Sequence, residues 1–283
     1  VPPGETPFTG AYSMRELAFH HNQSVGSVTT WYPNWVTLDY NETQGLTRTT
    51  TAYTQVTNSR NVKSSTSPYY LARFASAPLN ETTIAAGYWN FFLYCFTSNT
   101  AGTNVVKFRV ARRVAKTGIT GTLSGTGATR TFTVTAGTPP FVAGDYNADL
   151  LKTGAVEIGT QTAWITGYTS TSEVTVKLTD LAFANGSGLA LNAIHYHMFD
   201  AETTDISGAS SAVNLYTINS SQPEFTGLNT TDCLVFENFA SSSGSTDRIV
   251  GIIYGGTQFY SSFNAPAIYT TVPVGTPYVF AVG

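Results

Sequence analysis

The chain has few charged residues. Asp, Glu, Lys and Arg make up only 11% of its 283 residues, less than half of the roughly 25% that is usual in globular proteins. A helical bundle normally needs Glu and Lys on its exposed faces, so this scarcity argues against one. The formal net charge of −3 gives no basic surface for a nucleic acid. The composition therefore disfavours helical and nucleic-acid-binding proteins.

Long apolar runs and clustered cysteines are also missing. The most apolar run, Ile84–Phe96, contains Gly87 and Asn90 and is far shorter than the roughly 20 residues of a membrane-spanning helix. No charged-then-apolar signal segment opens the sequence. The two cysteines, Cys95 and Cys233, lie in separate apolar runs. Their simpler interpretation is a pair of buried thiols; a disulfide between them is the alternative and needs an oxidising compartment.

Strand signals dominate what is present. Tyr88–Phe96 is an aromatic run in which successive side chains point to opposite sides of a strand. This alternation gives two apolar faces, one formed by Phe91, Leu93 and Cys95 and the other by Phe92, Tyr94 and Phe96. Both faces should be covered. An opposing sheet covers the first, and another domain, the N-terminal segment or a partner chain covers the second.

The amino-acid composition changes twice along the chain. Residues 1–66 contain early prolines and Ser/Thr runs together with Trp31 and Trp35, which predicts an extended docking arm. Its aromatic residues are expected to lie on the same chain or on a neighbouring subunit. Residues 117–181 are rich in Gly and Thr and predict a small β module. Residues 67–116 and 182–283 are both rich in aromatic residues. The sequence therefore predicts an all-β protein, an antiparallel β-sandwich of jelly-roll type into which the small module is inserted.

One turn is predicted near the C-terminal end of the sandwich. Arg248–Tyr254 and Thr257–Phe263 are strand-like runs separated by Gly255-Gly256. Two consecutive glycines readily adopt the positive φ angles of a tight turn. The pattern predicts a β-hairpin.

Two histidines form a weak candidate for a metal site. His195 and His197 lie on one face of a predicted strand, where they could hold Zn²⁺ with a third ligand such as Asp200, His20 or His21. The simpler interpretation is two polar residues on a solvent-facing rim. We predict no bound cofactor.

A second weak candidate resembles a calcium loop. Asp145, Asn147 and Asp149 have the opening spacing of an EF-hand, but Leu150 and Val156 occupy the positions that require Gly and Glu. A turn capped by the Asp side chains is the simpler interpretation.

Basic residues cluster along one predicted strand. The cluster consists of Lys107, Arg109, Arg112, Arg113 and Lys116. It could meet phosphate or an acidic partner. Because the whole chain is mildly acidic, a solvated strand face or a row of salt bridges between subunits is the favoured interpretation.

No catalytic motif is recognisable. The chain has no G-x-S-x-G, no H-E-x-x-H and no phosphate-binding Gly loop leading into a helix. Asp200 and Glu202 are the nearest local pair of acids, but acids that cleave glycosides can converge from distant segments. We predict that the chain is not an enzyme.

Three segments resemble a β-sandwich domain of tailed-bacteriophage virion proteins. They are Gly87–Tyr94, Asn229–Val235 and Gly255–Phe263, the last followed by a terminal Thr-Val-Pro segment. Phe141–Tyr146 and Ile165–Val176 are similar to small β modules of phage fibre and tail proteins. The chain departs from the family pattern where residues 117–181 interrupt the sandwich.

The resemblance implies a structural role in a virion. It implies a fibre or decoration on the outer surface of the tail or capsid, in contact with other virion proteins and with a host-surface glycan as a further partner. Our leading hypothesis for this role is a homo-oligomer, with a trimer favoured, and the charge and the apolar runs described above predict no nucleic acid and no membrane insertion. The residues expected at the partner interface are Trp31, Trp35, Phe92, Tyr94 and Phe96.

The alternative function is a carbohydrate-binding module or lectin. Trp31, Trp35, Trp89 and Trp164 could stack on sugar rings, and β-sandwiches commonly carry such sites.

Overall fold

Antiparallel β-strands make up nearly all of the regular structure in a computed structural model of the chain. It describes residues 15–20, 43–47, 56–65, 67–76, 78–79, 81–159, 161–178, 183–207, 212–254, 261–266 and 268–269. The strands are β1 (Arg15–His20), β2 (Thr43–Thr47), β3 (Val56–Val62), β4 (Tyr69–Ser76), β5 (Thr83–Ile84), β6 (Gly87–Thr97), β7 (Asn104–Ala115), β8 (Thr120–Gly125), β9 (Thr129–Ala136), β10 (Ala155–Ile158), β11 (Gln161–Ser170), β12 (Glu173–Leu178), β13 (Gly186–Glu202), β14 (Asn214–Gln222), β15 (Cys233–Ser242), β16 (Arg248–Tyr254), β17 (Ser262–Ala265) and β18 (Ile268–Tyr269). The described helical structure is a short 3₁₀ turn, Ala143–Asp145. Nothing helical in these ranges has the length and hydrophobicity of a membrane span.

Two layers of strands form a sandwich. One layer has the order β13-β7-β15-β4 and the other β14-β6-β16-β3. Strands β2 and β1 connect β4 to β17, which pairs with β6, so both layers belong to one folded sheet. The pairing of β2 with β4 is parallel, and the other pairings are antiparallel. The core between the layers is rich in buried aromatic rings: Trp89, Phe91, Phe108, Phe236 and Phe263. The predicted all-β antiparallel sandwich is confirmed.

Six strands close into a barrel beside the sandwich. Strands β10, β11, β12, β9 and β8 pair in this order, and β13 closes the ring by pairing with both β8 and β10. Apolar side chains such as Phe132, Ile165, Val176 and Ile194 fill its interior. Five of the six strands lie within the small β module predicted at residues 117–181.

Strand β13 belongs to both regions. Its 17 residues close the barrel at their N-terminal end and pair with β7 of the sandwich from Ala193 to Glu202. The barrel and the sandwich therefore share a strand. The boundaries of the predicted insertion stay a prediction.

The described parts of residues 1–66 are paired into the sandwich. Strand β1 pairs with β17, β2 with β4 and β3 with β16. Val62 at the end of β3 is fully buried in the sandwich core. Trp31 and Trp35, predicted to anchor a docking arm, lie outside the described residues.

The predicted hairpin around Gly255-Gly256 is wrong. Strands β16 and β17 both pair antiparallel with β6, at successive positions along the same strand. They therefore run in the same direction, as one interrupted strand. The buried Ser261 hydroxyl fills the gap between them, because it accepts a hydrogen bond from the Tyr94 N–H (3.0 Å) and donates one to the Ile253 carbonyl. Glycine pairs favour turns locally, but the long core strand β6 organises both segments.

Candidate functional site

A row of alternating charges crosses one face of the sandwich layer. Arg73 of β4, Glu237 of β15, Arg109 of β7 and Asp200 of β13 stand opposite one another in register. The side chains of Arg73, Glu237 and Arg109 are fully buried, and both guanidinium groups donate to the Glu237 carboxylate. Burial alone would raise the pKa of Glu237, but the adjacent arginines outweigh it and hold this pKa at about 2.

A second buried ionic group lies on the same face. Arg113 donates to both oxygens of Glu157 at 2.7 Å, and the ring of His195 lies 2.7 Å from the same carboxylate. Burial opposes the charged form of Glu157, yet the hydrogen bonds from His195 and Arg113 hold its pKa well below the usual range. Burial also lowers the pKa of His195, which favours the neutral imidazole.

The segment that precedes β10 covers this ionic face. Arg109 donates to the carbonyls of Leu150 (3.3 Å) and Thr153. The Trp164 indole N–H lies 3.3 Å from the Glu237 carboxylate and donates to it. The Arg109 contacts fasten the segment before β10, and the Trp164 contact fastens β11, to the charged row beneath them.

Asp and Asn side chains shape the same segment as turn caps. The Asp145 carboxylate accepts from the Val142 N–H (2.9 Å), the Asn147 side chain from the Asp149 N–H (2.9 Å), and Asp149 from the Leu151 N–H (3.0 Å). These are local side-chain-to-backbone turns. The residues with calcium-loop spacing thus use one carboxylate or amide oxygen each to cap the backbone, as the simpler interpretation expects.

A register shift in β13 brings two polar side chains together. His197 is opposite Ala111, whereas Phe199 is already opposite Val110, so Met198 is an extra residue. The shift returns Asp200 to the face that carries His197, and the imidazole lies 3.2 Å from the Asp200 carboxylate. Bulges of this kind commonly redirect side chains next to functional sites. Burial lowers the pKa of His197.

A polar cavity of about 340 Å³ opens beside this bulge. It lies where the pairing of β13 with β10 ends, at the pair His195–Ala155, and faces the capping segment. Its lining residues are Gly144, Asp145, Asn147, Lys152, Gly154, Tyr196 and His197. The structure thus brings three of the weak metal candidates, Asp145, Asn147 and His197, to one cavity.

The remaining metal candidates do not share this cavity. His195 is buried against Glu157 and His197 faces Asp200, so the two imidazoles have different partners. Asp149 lies outside the cavity lining. Across the described ranges, no three His, Cys, Asp or Glu side chains are grouped to hold a metal ion.

Four of the five residues in the predicted basic strand face form ion pairs with acidic residues of the same chain. Arg109 and Arg113 are in the buried groups described above, Arg112 pairs with Asp232 at 2.6 Å, and Lys107 pairs with Glu202 at 3.2 Å. Arg109 is buried and Arg113 nearly so, so a solvated face does not describe these two, whereas Lys107 is 32% exposed. Salt bridges between subunits stay a prediction. The pairing partners come from β13, β10 and β15 and its preceding turn, which the spacing along β7 could not reveal.

The cysteines and two of the tryptophans are buried. Cys95 and Cys233 are not joined by a disulfide, and burial raises the pKa of Cys95 far above its usual value. Trp89 is fully buried and Trp164 nearly so. Neither indole offers a free ring face on which a sugar could stack.

The two faces of β6 differ in exposure. Phe91, Leu93 and Cys95 are fully buried, whereas Phe92, Tyr94 and Phe96 are half-buried. The predicted alternation is therefore confirmed. The role of the second face at a partner interface stays a prediction.

Sequence reasoning missed several residues of the polar face. Glu237 stands within an apolar strand and Glu157 within another, and a lone acid in such a run is a signal for a buried ion pair. Lys152 and Tyr196, which line the cavity, carry no comparable signal. No protein-family model matches the chain, and no curated protein shows significant sequence similarity to it.

Proposed function

We propose that the chain is a non-enzymatic structural component of a bacteriophage virion, displayed on the tail or capsid as a fibre or decoration. In this role it forms a homo-oligomer, with a trimer favoured, and contacts other virion proteins. The observation that carries the proposal is an uncharged surface on the outer side of the layer β14-β6-β16 that presents several large apolar side chains, called here the outer face. Its residues are Tyr88, Phe92, Tyr94, Phe96, Leu215 and Ile249.

The outer face follows from strand alternation. Leu215 is opposite Tyr94, and Thr217 is opposite Phe92, so β14 extends the surface begun by β6. Tyr88 is 60% exposed, Leu215 48% and Ile249 38%. Polar residues such as Asn90 and Thr217 share this face, and exposed apolar side chains grouped on one uncharged face are typical of protein–protein contacts.

The strand at the edge of this layer supports assembly as well. Within the described ranges β14 pairs with β6 alone. Its nine residues contain no charge and no proline, the devices that commonly protect an edge strand from pairing with another chain. An uncharged edge beside an apolar face suits a protein that is packed against neighbours.

The test is the solution mass of the recombinant chain by light scattering. We expect a multiple of the 30.3 kDa chain mass, with a trimer favoured, and we expect Phe92→Glu to convert the assembly to monomers, because a buried unpaired carboxylate at an interface is costly. Val142→Glu is the matched control, since Val142 is 55% exposed and lies in the segment before β10, outside the outer face. A monomeric wild-type chain, or an unchanged mass for Phe92→Glu, would contradict the proposal.

Carbohydrate binding is the second candidate function. The specific observation that favours it is the polar cavity beside the bulge of β13, which lies in the small-ligand range of about 300–1,000 Å³. Since Trp89 and Trp164 are buried, such binding would depend on hydrogen bonds. It is compatible with the structural role, because a virion surface protein can contact a host glycan.

A further inference from the structure

We infer that the cavity lined by Asp145, Asn147, Lys152, Tyr196 and His197 binds one neutral sugar residue through hydrogen bonds. The inference rests on the second candidate function and names its site and ligand class. It does not depend on the virion role or on the oligomeric state.

The cavity presents polar groups that the fold leaves unused. One oxygen of Asp145 and the amide nitrogen of Asn147 make no hydrogen bond with the described residues, whereas the second oxygen of Asp145 and the amide oxygen of Asn147 each cap a turn. The Tyr196 hydroxyl and the second ring nitrogen of His197 are likewise available. Polar groups at a concave surface that are held in place by their remaining bonds are typical of a preformed ligand site.

The charges of the lining select against ionic ligands. Lys152 contributes one positive charge, which the Asp149 carboxylate partners at 3.9 Å, and Asp145 contributes one negative charge. The lowered pKa of His197 favours its neutral form. An anion would lie against the Asp145 carboxylate, and a cation against the Lys152 ammonium group. An ion of either sign would therefore meet one like charge of the lining, so a neutral ligand is preferred.

The mixture of donors and acceptors selects hydroxyl groups. An ammonium group, an amide nitrogen and a phenol donate, whereas a carboxylate oxygen accepts. A sugar hydroxyl both donates and accepts, so neighbouring hydroxyls of one ring can satisfy both kinds of group. An apolar ligand would leave all of them unpaired at a cost.

The geometry argues against stacking as the main contact. Lys116 already lies over the Tyr196 ring, with its ammonium nitrogen 6.0 Å from the ring centre. The volume of about 340 Å³ is near the lower end of the range for ligand pockets. Both observations favour a single sugar residue held by its edge.

Gly144 offers a way to block the cavity without disturbing the fold. It lines the cavity, and a Cβ built on it meets no atom within 4 Å. Gly144→Phe therefore adds a bulky ring at the cavity wall without a clash at its Cβ, and we expect it to obstruct the cavity. Val142→Phe is the matched control, because Val142 is exposed two residues away and is absent from the lining.

The test is saturation-transfer NMR with free monosaccharides at millimolar concentration. The neutral probes are glucose, galactose, mannose and N-acetylglucosamine, and the charged probes are glucuronic acid and glucosamine. We expect at least one neutral sugar to give a signal that Gly144→Phe abolishes and Val142→Phe retains. We expect Lys152→Met to weaken the affinity for that sugar about tenfold, as loss of a charged hydrogen bond predicts.

Three results would overturn the inference: no signal from any neutral sugar, stronger binding of a charged sugar, or a signal that persists in Gly144→Phe. Circular dichroism and the melting temperature of each variant establish that it is folded. The light-scattering mass reports on the proposed assembly independently, so a failure of sugar binding and a failure of oligomerisation are separate outcomes.

Discussion

The two faces of the layer β13-β7-β15-β4 are both buried but have opposite chemistry. Neighbouring residues of the same strands supply them: Phe74, Phe108 and Phe236 on the aromatic face, and Arg73, Arg109 and Glu237 on the ionic face. The aromatic face packs on the second layer of the sandwich. The ionic face lies under the segment before β10, at the junction with the barrel.

The two faces differ in how strictly they specify the register of the strands. Aromatic packing is largely non-directional, so many arrangements of rings bury similar areas. A buried carboxylate between two guanidinium groups is satisfied only when the three strands are in one register. We therefore interpret the ionic face as the feature that fixes how β4, β15 and β7 align, and the aromatic face as the main source of burial energy.

The largest effects on stability are expected when one residue on each face is substituted. Glu237→Gln leaves Arg73 and Arg109 buried without a counter-charge and should lower the free energy of unfolding by about 3–5 kcal/mol. Phe236→Ala should cost a similar amount, about 3–5 kcal/mol, by leaving a cavity. Denaturant unfolding measures both. A loss below about 1 kcal/mol for Glu237→Gln would contradict the buried ionic face.

The pH dependence of stability sharpens the comparison. The pKa of Glu237 is depressed to about 2 in the folded chain, and that of Glu157 is also lowered, so the unfolded chain binds more protons. The stability that ionised Glu237 contributes should be complete above about pH 5. As the pH falls towards 2, the free energy of unfolding should decrease by on the order of 3 kcal/mol because of this group. Phe236→Ala should keep this slope and Glu237→Gln should flatten it. Equal slopes in both variants would show that other groups control acid unfolding.

Exposed ion pairs should contribute least. Lys107 and Glu202 pair at 3.2 Å with side chains that are 32% and 54% exposed. Glu202→Gln should change the free energy of unfolding by less than about 1 kcal/mol, because solvent and salt screen such pairs. Urea unfolding at low and high salt measures the change. An effect as large as that of Glu237→Gln would mean that burial does not distinguish the two pairs.

Much of the architecture was predictable from local patterns. Period-two alternation in Tyr88–Phe96 predicted the two faces of β6, and the change in composition at residue 117 predicted a β module where five of the six barrel strands lie. The hairpin at Gly255-Gly256 was predicted wrongly, because a local turn preference carries no information about the strand with which both segments pair. The cavity combined residues that had been predicted only as separate weak metal candidates.

The sequence by itself determined that the chain is an all-β protein with few surface charges, because composition and alternation act over neighbouring residues. Only the tertiary structure decided where the charges lie. Glu237 is 164 residues from Arg73 and 128 residues from Arg109 along the chain, and a single residue added to β13 at Met198 places His197 and Asp200 on one face. Such contacts depend on strand order and register, which are set by the burial of the whole core rather than by any segment alone.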